Sequence, residues 1–174
     1  MKRNYAMTLL LTLLAASTAA AQQTSVDYDR NADFSRYKTY AWAQGRPVQD
    51  PFNHQRIVAA IDAQLAAQGW KPVEPGQKPD ALVLYRAAAT ERKQANVWGA
   101  GYGPAWRLGG GTARVDVDTI QVGQLVVDIM DAATQKLLWR GRASDTLSDQ
   151  PEKNEKKINK AAEKLFKKFP PANH

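Results

Sequence analysis

Four aspartates, Asp116, Asp118, Asp128 and Asp131, are the residues whose type and spacing first suggest chemistry. On a strand, Asp116 and Asp118 share one face about 7 Å apart, a separation that suits paired carboxylates. A metal site, however, needs convergent ligands from several elements, and no histidine lies nearby. Asp131 opens a turn, where an aspartate accepts hydrogen bonds from its own backbone. Asp128 shares its side of the strand with Val126 and Met130, which makes it a partly buried carboxylate pairing with Arg140 or Arg142. Structural roles are therefore preferred, and no metal, cofactor or catalytic residue is assigned.

Nucleophilic chemistry has little material. The two histidines are His54 and the terminal His174, and neither sits in a G-x-S-x-G elbow or an H-E-x-x-H pair. There is no P-loop. Gly99, Gly101 and Gly103 do not complete a G-x-G-x-x-G, and no helix follows them. The chain has no cysteine, which excludes disulfides, thiol catalysis, thiolate metal sites and a lipid-modified cysteine.

Binding chemistry is better represented. The stretch NVWGAGYGPAWRLGGG, residues 96–111, sets Trp98, Tyr102 and Trp106 among six glycines between two strands. A connection of roughly twenty residues is far longer than the 2–5 usual in hairpins. Its aromatics can pack on their own domain, enter a partner's groove, stack on a sugar ring or sit at a membrane interface. Near the C-terminus, Lys153, Lys156, Lys157, Lys160, Lys164, Lys167 and Lys168 fall opposite an apolar helical stripe. Four i,i+4 lysine pairs repel one another there, each at a cost of a few tenths of a kcal/mol. The face is either a solvated surface or a contact for an anionic envelope surface, at roughly 1 kcal/mol per basic residue.

The N-terminus suggests where such contacts would be made. MKRNYAMTLLLTLLAASTAAAQQ has a basic start, an apolar run from Met7 to Ala16, and Ala19 and Ala21 in an Ala-x-Ala arrangement. This is the grammar of a secretory signal peptide cleaved between Ala21 and Gln22, and the run is too short for the roughly 20 residues of a membrane span. Residues 22–174 then form a single domain. Lys2 and Arg3 leave with the leader, so the formal charge falls from +7 to +5. An exported chain seldom meets nucleic acid, so no nucleic-acid partner is assigned; anionic lipid, glycan or an envelope protein is the available class.

Several elements must position these residues. Val26–Tyr28 and Lys38–Ala43 read as strands. Asp50 caps a helix with Pro51 in its first turn, Ile57, Ala60, Ile61 and Leu65 on one face, and Gly69 as its stop. Residues 81–92 form an interior strand. Residues 113–131 and 136–147 form an antiparallel hairpin, with a bulge suggested by the change of apolar parity between Val117 and Ile120. A last helix, capped by Ser148 or Asp149, buries Ile158, Ala161, Ala162, Leu165, Phe166 and Phe169 and stops at Pro170. The order β-β-α-β-β-β-α implies an α+β fold: an antiparallel sheet of four to five strands with two helices on one face.

Two stretches resemble the DUF4136 family of bacterial exported proteins. VDYDRNADFSRYKTYAW carries Asp27, Tyr28, Asp29, Phe34, Tyr37, Thr39, Tyr40 and Trp42. GQLVVDIMDAATQKLLWRG carries Gly123, Leu125, Val127, Asp128, Asp131, Leu138, Trp139 and Gly141. The family is uncharacterised in activity, and many members look like envelope lipoproteins; this chain lacks the cysteine for that anchor. The resemblance implies a soluble periplasmic or secreted protein, a non-catalytic binding or envelope-maintenance module. The alternative is a hydrolase-like or metal-dependent enzyme using the Asp-rich hairpin.

Overall fold

The computed structural model describes residues 22–43, 45, 48–74, 76–98 and 114–171, with backbone alone at 96–98 and 114–115. The leader, Tyr102, Trp106 and His174 lie outside the described residues. The elements are β1 (Gln23–Tyr28), β2 (Thr39–Trp42), α1 (Pro51–Ala67), β3 (Lys71–Pro72), β4 (Ala81–Trp98), β5 (Arg114–Asp131), β6 (Leu137–Thr146) and α2 (Pro151–Phe166).

The fold is α+β, but its sheet has six strands, not four to five, in the order β1-β6-β5-β4-β2-β3. It is also mixed, not wholly antiparallel: β2 runs parallel to both β3 and β4. The cause is the helix between them. A chain that leaves β2 and returns through 17 residues of α1 re-enters the sheet in the same direction.

Local chemistry builds α1 as expected. Asp50 accepts from the backbone N–H groups of Phe52 (2.9 Å) and Asn53 (3.4 Å), and Pro51 begins the first turn. Gly69, at φ +78°, supplies the left-handed residue beyond the last turn. Ile57, Ala60, Ile61 and Leu65 are all buried. They face the odd-numbered positions of the central strands, among them Val83, Tyr85, Leu125, Val127, Ile129 and Trp139. Helix α2 lies on the same face beside α1, and Arg56 and Glu155 bridge the two at 3.4 Å.

Two details of α2 differ from the sequence reading. Its cap position is Gln150, which makes no side-chain capping bond. The end is secured instead by Asn154, which accepts from Ser148 N–H at 2.8 Å and donates to the Ser148 carbonyl at 2.6 Å. The helix also ends at Phe166, short of Phe169. Phe169 is nevertheless 3 % exposed, with its ring 5.3–5.9 Å from those of Phe34, Trp70, Trp139 and Phe166. The stripe outlasts the helix because the chain stays over the core after the helix has ended.

The bulge does not occur where parity suggested it. Strands β4 and β5 pair without interruption from Ala81↔Asp131 to Trp98↔Arg114, and the irregularity lies between β5 and β6 at Ile129/Met130. The parity change marks the place where the hairpin leaves the body. Beyond Gln121, whose carbonyl accepts from Leu147 N–H, β6 no longer flanks β5; β2 reaches only the first residues of β4. The pairs from Glu91↔Gln121 to Trp98↔Arg114 thus form a two-stranded ribbon about 25 Å long. Residues 91–95 and 117–119 are exposed on both faces, so apolar alternation carries no information there.

Candidate functional site

The four aspartates are not brought together. The regular register of β5 separates Asp118 from Asp128 by ten residues, roughly 34 Å along the strand. Asp116 and Asp118 lie on the ribbon, opposite Asn96 and Gln94. Asp128 is in the body, 4 % exposed, on the sheet face away from the helices. Of its two expected partners, Arg140 is the one: Nε donates to Oδ1 at 2.5 Å and Nη2 to Oδ2 at 2.8 Å. Arg86 on β4 adds a third bond at 2.8 Å, a partner not read from the sequence. The carboxylate raises the pKa of the Arg140 guanidinium further.

Asp131 holds its turn as expected. Its Oδ1 accepts from the N–H groups of Thr134 (2.7 Å) and Ala133 (3.0 Å) and from the Thr134 hydroxyl; Oδ2 accepts from the Tyr37 hydroxyl at 2.8 Å. These donors, the Thr134 N–H first, lower its pKa to about 2. Burial and this same carboxylate push the Tyr37 hydroxyl up to about 12. No cluster of three or more metal-ligating side chains occurs among the described residues.

An unforeseen feature lies where the helices meet the sheet: a cavity of about 200 Å³. Its floor is set by small residues, Ala87 and Ala89 of β4, Gly123 of β5 and Ala143 of β6. A few residues along the same strands, Tyr85, Val127, Ile129 and Trp139 fill the interlayer space completely. Ile57 of α1 with Ile158 and Ala161 of α2 form the walls. Polar groups gather at the rim: Gln22, Asp145, Asn154 and Lys157. The sequence hint was the run Ala87-Ala88-Ala89 across from Gly123, which supplies no bulk to close the layers.

Lys157 departs from the expected lysine face. Its ammonium turns to the sheet, donating to the Thr146 carbonyl and lying 3.6 Å from Asp145. At 100° per turn-step it borders the buried stripe one turn from Ala161. Lys164 is half-buried, whereas Lys153, Lys156, Lys160, Lys167 and Lys168 are exposed. Trp98 is not in a loop but is the last residue of β4, paired with Arg114 at the far end of the ribbon.

The residues that carried the resemblance are used mainly by the scaffold. Asp29 pairs with Lys136 at 2.6 Å. Tyr37 stacks on Trp70, and the Thr39 hydroxyl donates to Asp80 at 2.7 Å. The Tyr40 hydroxyl and the Trp42 indole both donate to Asp62, at 2.7 and 3.0 Å. Gly141 leaves room for the Trp139 ring. Such motifs define a class of mixed-sheet α+β domain with a paired-helix layer.

Within that class, the chain belongs to the DUF4136 family, a domain of unknown function, whose model matches residues 24–171. A DUF4136 family protein from Bacteroides thetaiotaomicron has a similar fold, with TM-score 0.55 and 12% identity over 86% of this chain and 96% of that one. A PDZ domain protein from Parabacteroides distasonis is similar too, with TM-score 0.54 and 16% identity. The match covers 88% of this chain but only 36% of that one. At these identities the likeness is of fold. No curated protein matches the chain. Among the described residues, no helix is long and apolar enough to cross a membrane.

Proposed function

We propose that the protein is an exported, envelope-associated binding module without a catalytic role, periplasmic or secreted after cleavage between Ala21 and Gln22. Its contacts are Trp98, Tyr102 and Trp106 of the β4–β5 connection and the C-terminal lysines; its partner is an anionic lipid, a glycan or an envelope protein. The observation that carries this reading is the ribbon. An isolated two-stranded hairpin is marginal in water, yet this one continues eight residue pairs beyond its flanking strands. It carries the backbone as far as Trp98, at the end of the ribbon remote from the helices, which supports a contact role for the residues that follow. The exposed lysines Lys153, Lys156, Lys160, Lys167 and Lys168 offer a second, salt-sensitive contact. The separation of Asp116 and Asp118 from Asp128 and Asp131 weighs against the enzyme alternative, which needs them to converge.

The test is tryptophan fluorescence of the wild type and a Trp98→Ala/Trp106→Ala variant, titrated with anionic lipid vesicles and then with soluble peptidoglycan fragments. Trp70 and Trp139 are buried and report on the body. The expected result is a blue shift that the double variant loses. An equal shift in both proteins removes the aromatic segment from the reading. No shift with any ligand removes the lipid and glycan classes.

A further inference from the structure

We propose that the cavity between the helices and the sheet binds the chain of a medium-length fatty acid, with its carboxylate at Lys157. Protein interiors are close-packed, with few voids larger than a water molecule. Here the small floor residues Ala87, Ala89 and Ala143, beside Gly123 with the Leu147 side chain lying over it, leave one of about 200 Å³. An apolar cavity of roughly 150 Å³ accommodates the six carbons of benzene. By the same scale this one takes about eight carbons. Its apolar lining, Ile57, Ile158, Ala161 and Leu125 among it, outweighs the polar groups Asn53, Gln124 and Ser144 and offers the dispersion contacts that suit an alkyl chain.

Polar side chains gather where Gln22, Asp145, Asn154 and Lys157 meet, with Asn53 on the α1 wall, so the ligand is an amphiphile with its head at Lys157. Two observations assign that head. The Lys157 ammonium has three N–H donors; one is used by the Thr146 carbonyl, and Asp145 lies 3.6 Å away as an ion-pair partner, so donor capacity remains for an anion. Lys153 and Lys160, one turn to either side on α2, are exposed and add to the positive field at the entrance. Gln22 meets the same rim, where its Nε2 donates to the Lys157 carbonyl at 3.1 Å. Its Oε1 is buried with no hydrogen-bond partner among the described residues, and so is ready to accept from a water that the carboxylate brings. A monocarboxylate with one unbranched chain satisfies the volume, the apolar walls and the remaining donor capacity of Lys157 together. This site is separate from the ribbon and does not depend on its role.

The experiment is calorimetric titration of the protein with sodium hexanoate, octanoate and decanoate, and with 1-octanol. Each methylene that enters an apolar site tightens binding about fourfold. The affinity should therefore rise by more than tenfold from hexanoate to octanoate and then level off at decanoate, when the cavity is full. Ala87→Leu fills the floor and should abolish binding while the melting temperature holds or rises. Lys157→Met should weaken octanoate at least tenfold relative to 1-octanol. If Ala87→Leu fails to fold, Ile158→Phe closes the cavity from the opposite wall and carries the same expectation. No saturable binding of either octanoate or octanol overturns the proposal. So does affinity that climbs evenly past decanoate, or binding that survives in a folded, cavity-filled variant. Equal loss of octanoate and octanol in Lys157→Met overturns the assignment of the carboxylate.

Discussion

Arg140 grips Asp128 edge to edge, Nε on Oδ1 and Nη2 on Oδ2, from the directly opposed position on the neighbouring strand. A bidentate pair across a ladder fixes register as well as charge. Asp128 is almost wholly buried, while the Arg86 side chain that also reaches it is 47% exposed. Removing Arg140 leaves a buried carboxylate with one loosely held partner. We expect Arg140→Met to cost about 3 kcal/mol and Arg86→Met about 1 kcal/mol. The double substitution Asp128→Leu/Arg140→Met should recover most of the loss. Urea unfolding of the four proteins checks this; a larger loss for Arg86→Met than for Arg140→Met would reverse the assignment of the principal partner.

Acid stability should depend on Asp131. Its folded pKa of about 2 lies below the roughly 3.9 of an unfolded aspartate. The carboxylate thus stabilises the fold fully above about pH 4, and this contribution disappears as pH falls through about 2. Asp131→Asn keeps an acceptor for the turn but has no proton to gain. Its urea midpoint should be lower than the parent's at pH 6, with a flatter decline between pH 4 and 2. Parallel declines in parent and variant would assign the acid sensitivity elsewhere.

Gly141 should resist substitution by alanine. An added Cβ would stand 2.5 Å from Trp139 Cη2 and 3.2 Å from Leu165 Cδ2. The indole is fully buried and cannot swing away, so overpacking of about 1–3 kcal/mol is expected. Gly123→Ala meets only the Leu147 side chain, which can move, and should cost less. Thermal melts of the pair give the order.

Phe169 contributes although it follows the last helix. Phe169→Ala empties a site ringed by four aromatics and should cost about 3–5 kcal/mol. Near-ultraviolet circular dichroism should change with it, because Trp70 and Trp139 lose a ring neighbour.

What could be read from the sequence was what local chemistry settles. Asp50 and Pro51 announce α1, the spacing from Ile57 to Leu65 gives its buried face, and Asp131 holds its turn. The β5–β6 hairpin follows from a short polar turn between two β-rich runs. Arg140 was legible because it lies in that hairpin; Arg86 was not, because the choice of β4 as the next strand is a tertiary decision. The same reason hid the parallel pairing of β2 and the two-residue β3. The ribbon escaped because residues 91–95 are all exposed, with no buried face to impose alternation. The cavity escaped because an alanine run marks absent volume only when the layer above it is known.

The sheet order also sets a timetable for biosynthesis. Among the described strands β1 is the first made, and its one neighbour is β6. Its partners, Trp139 to Ser144, are added about 110 residues later. At 5–20 residues per second their synthesis is separated by roughly 5–20 s. During that interval β1 presents two open edges, and its composition suits the delay: Gln23, Thr24, Ser25 and Asp27 leave Val26 and Tyr28 as isolated apolar residues. The nascent chain can therefore delay closing its sheet without an adhesive first strand.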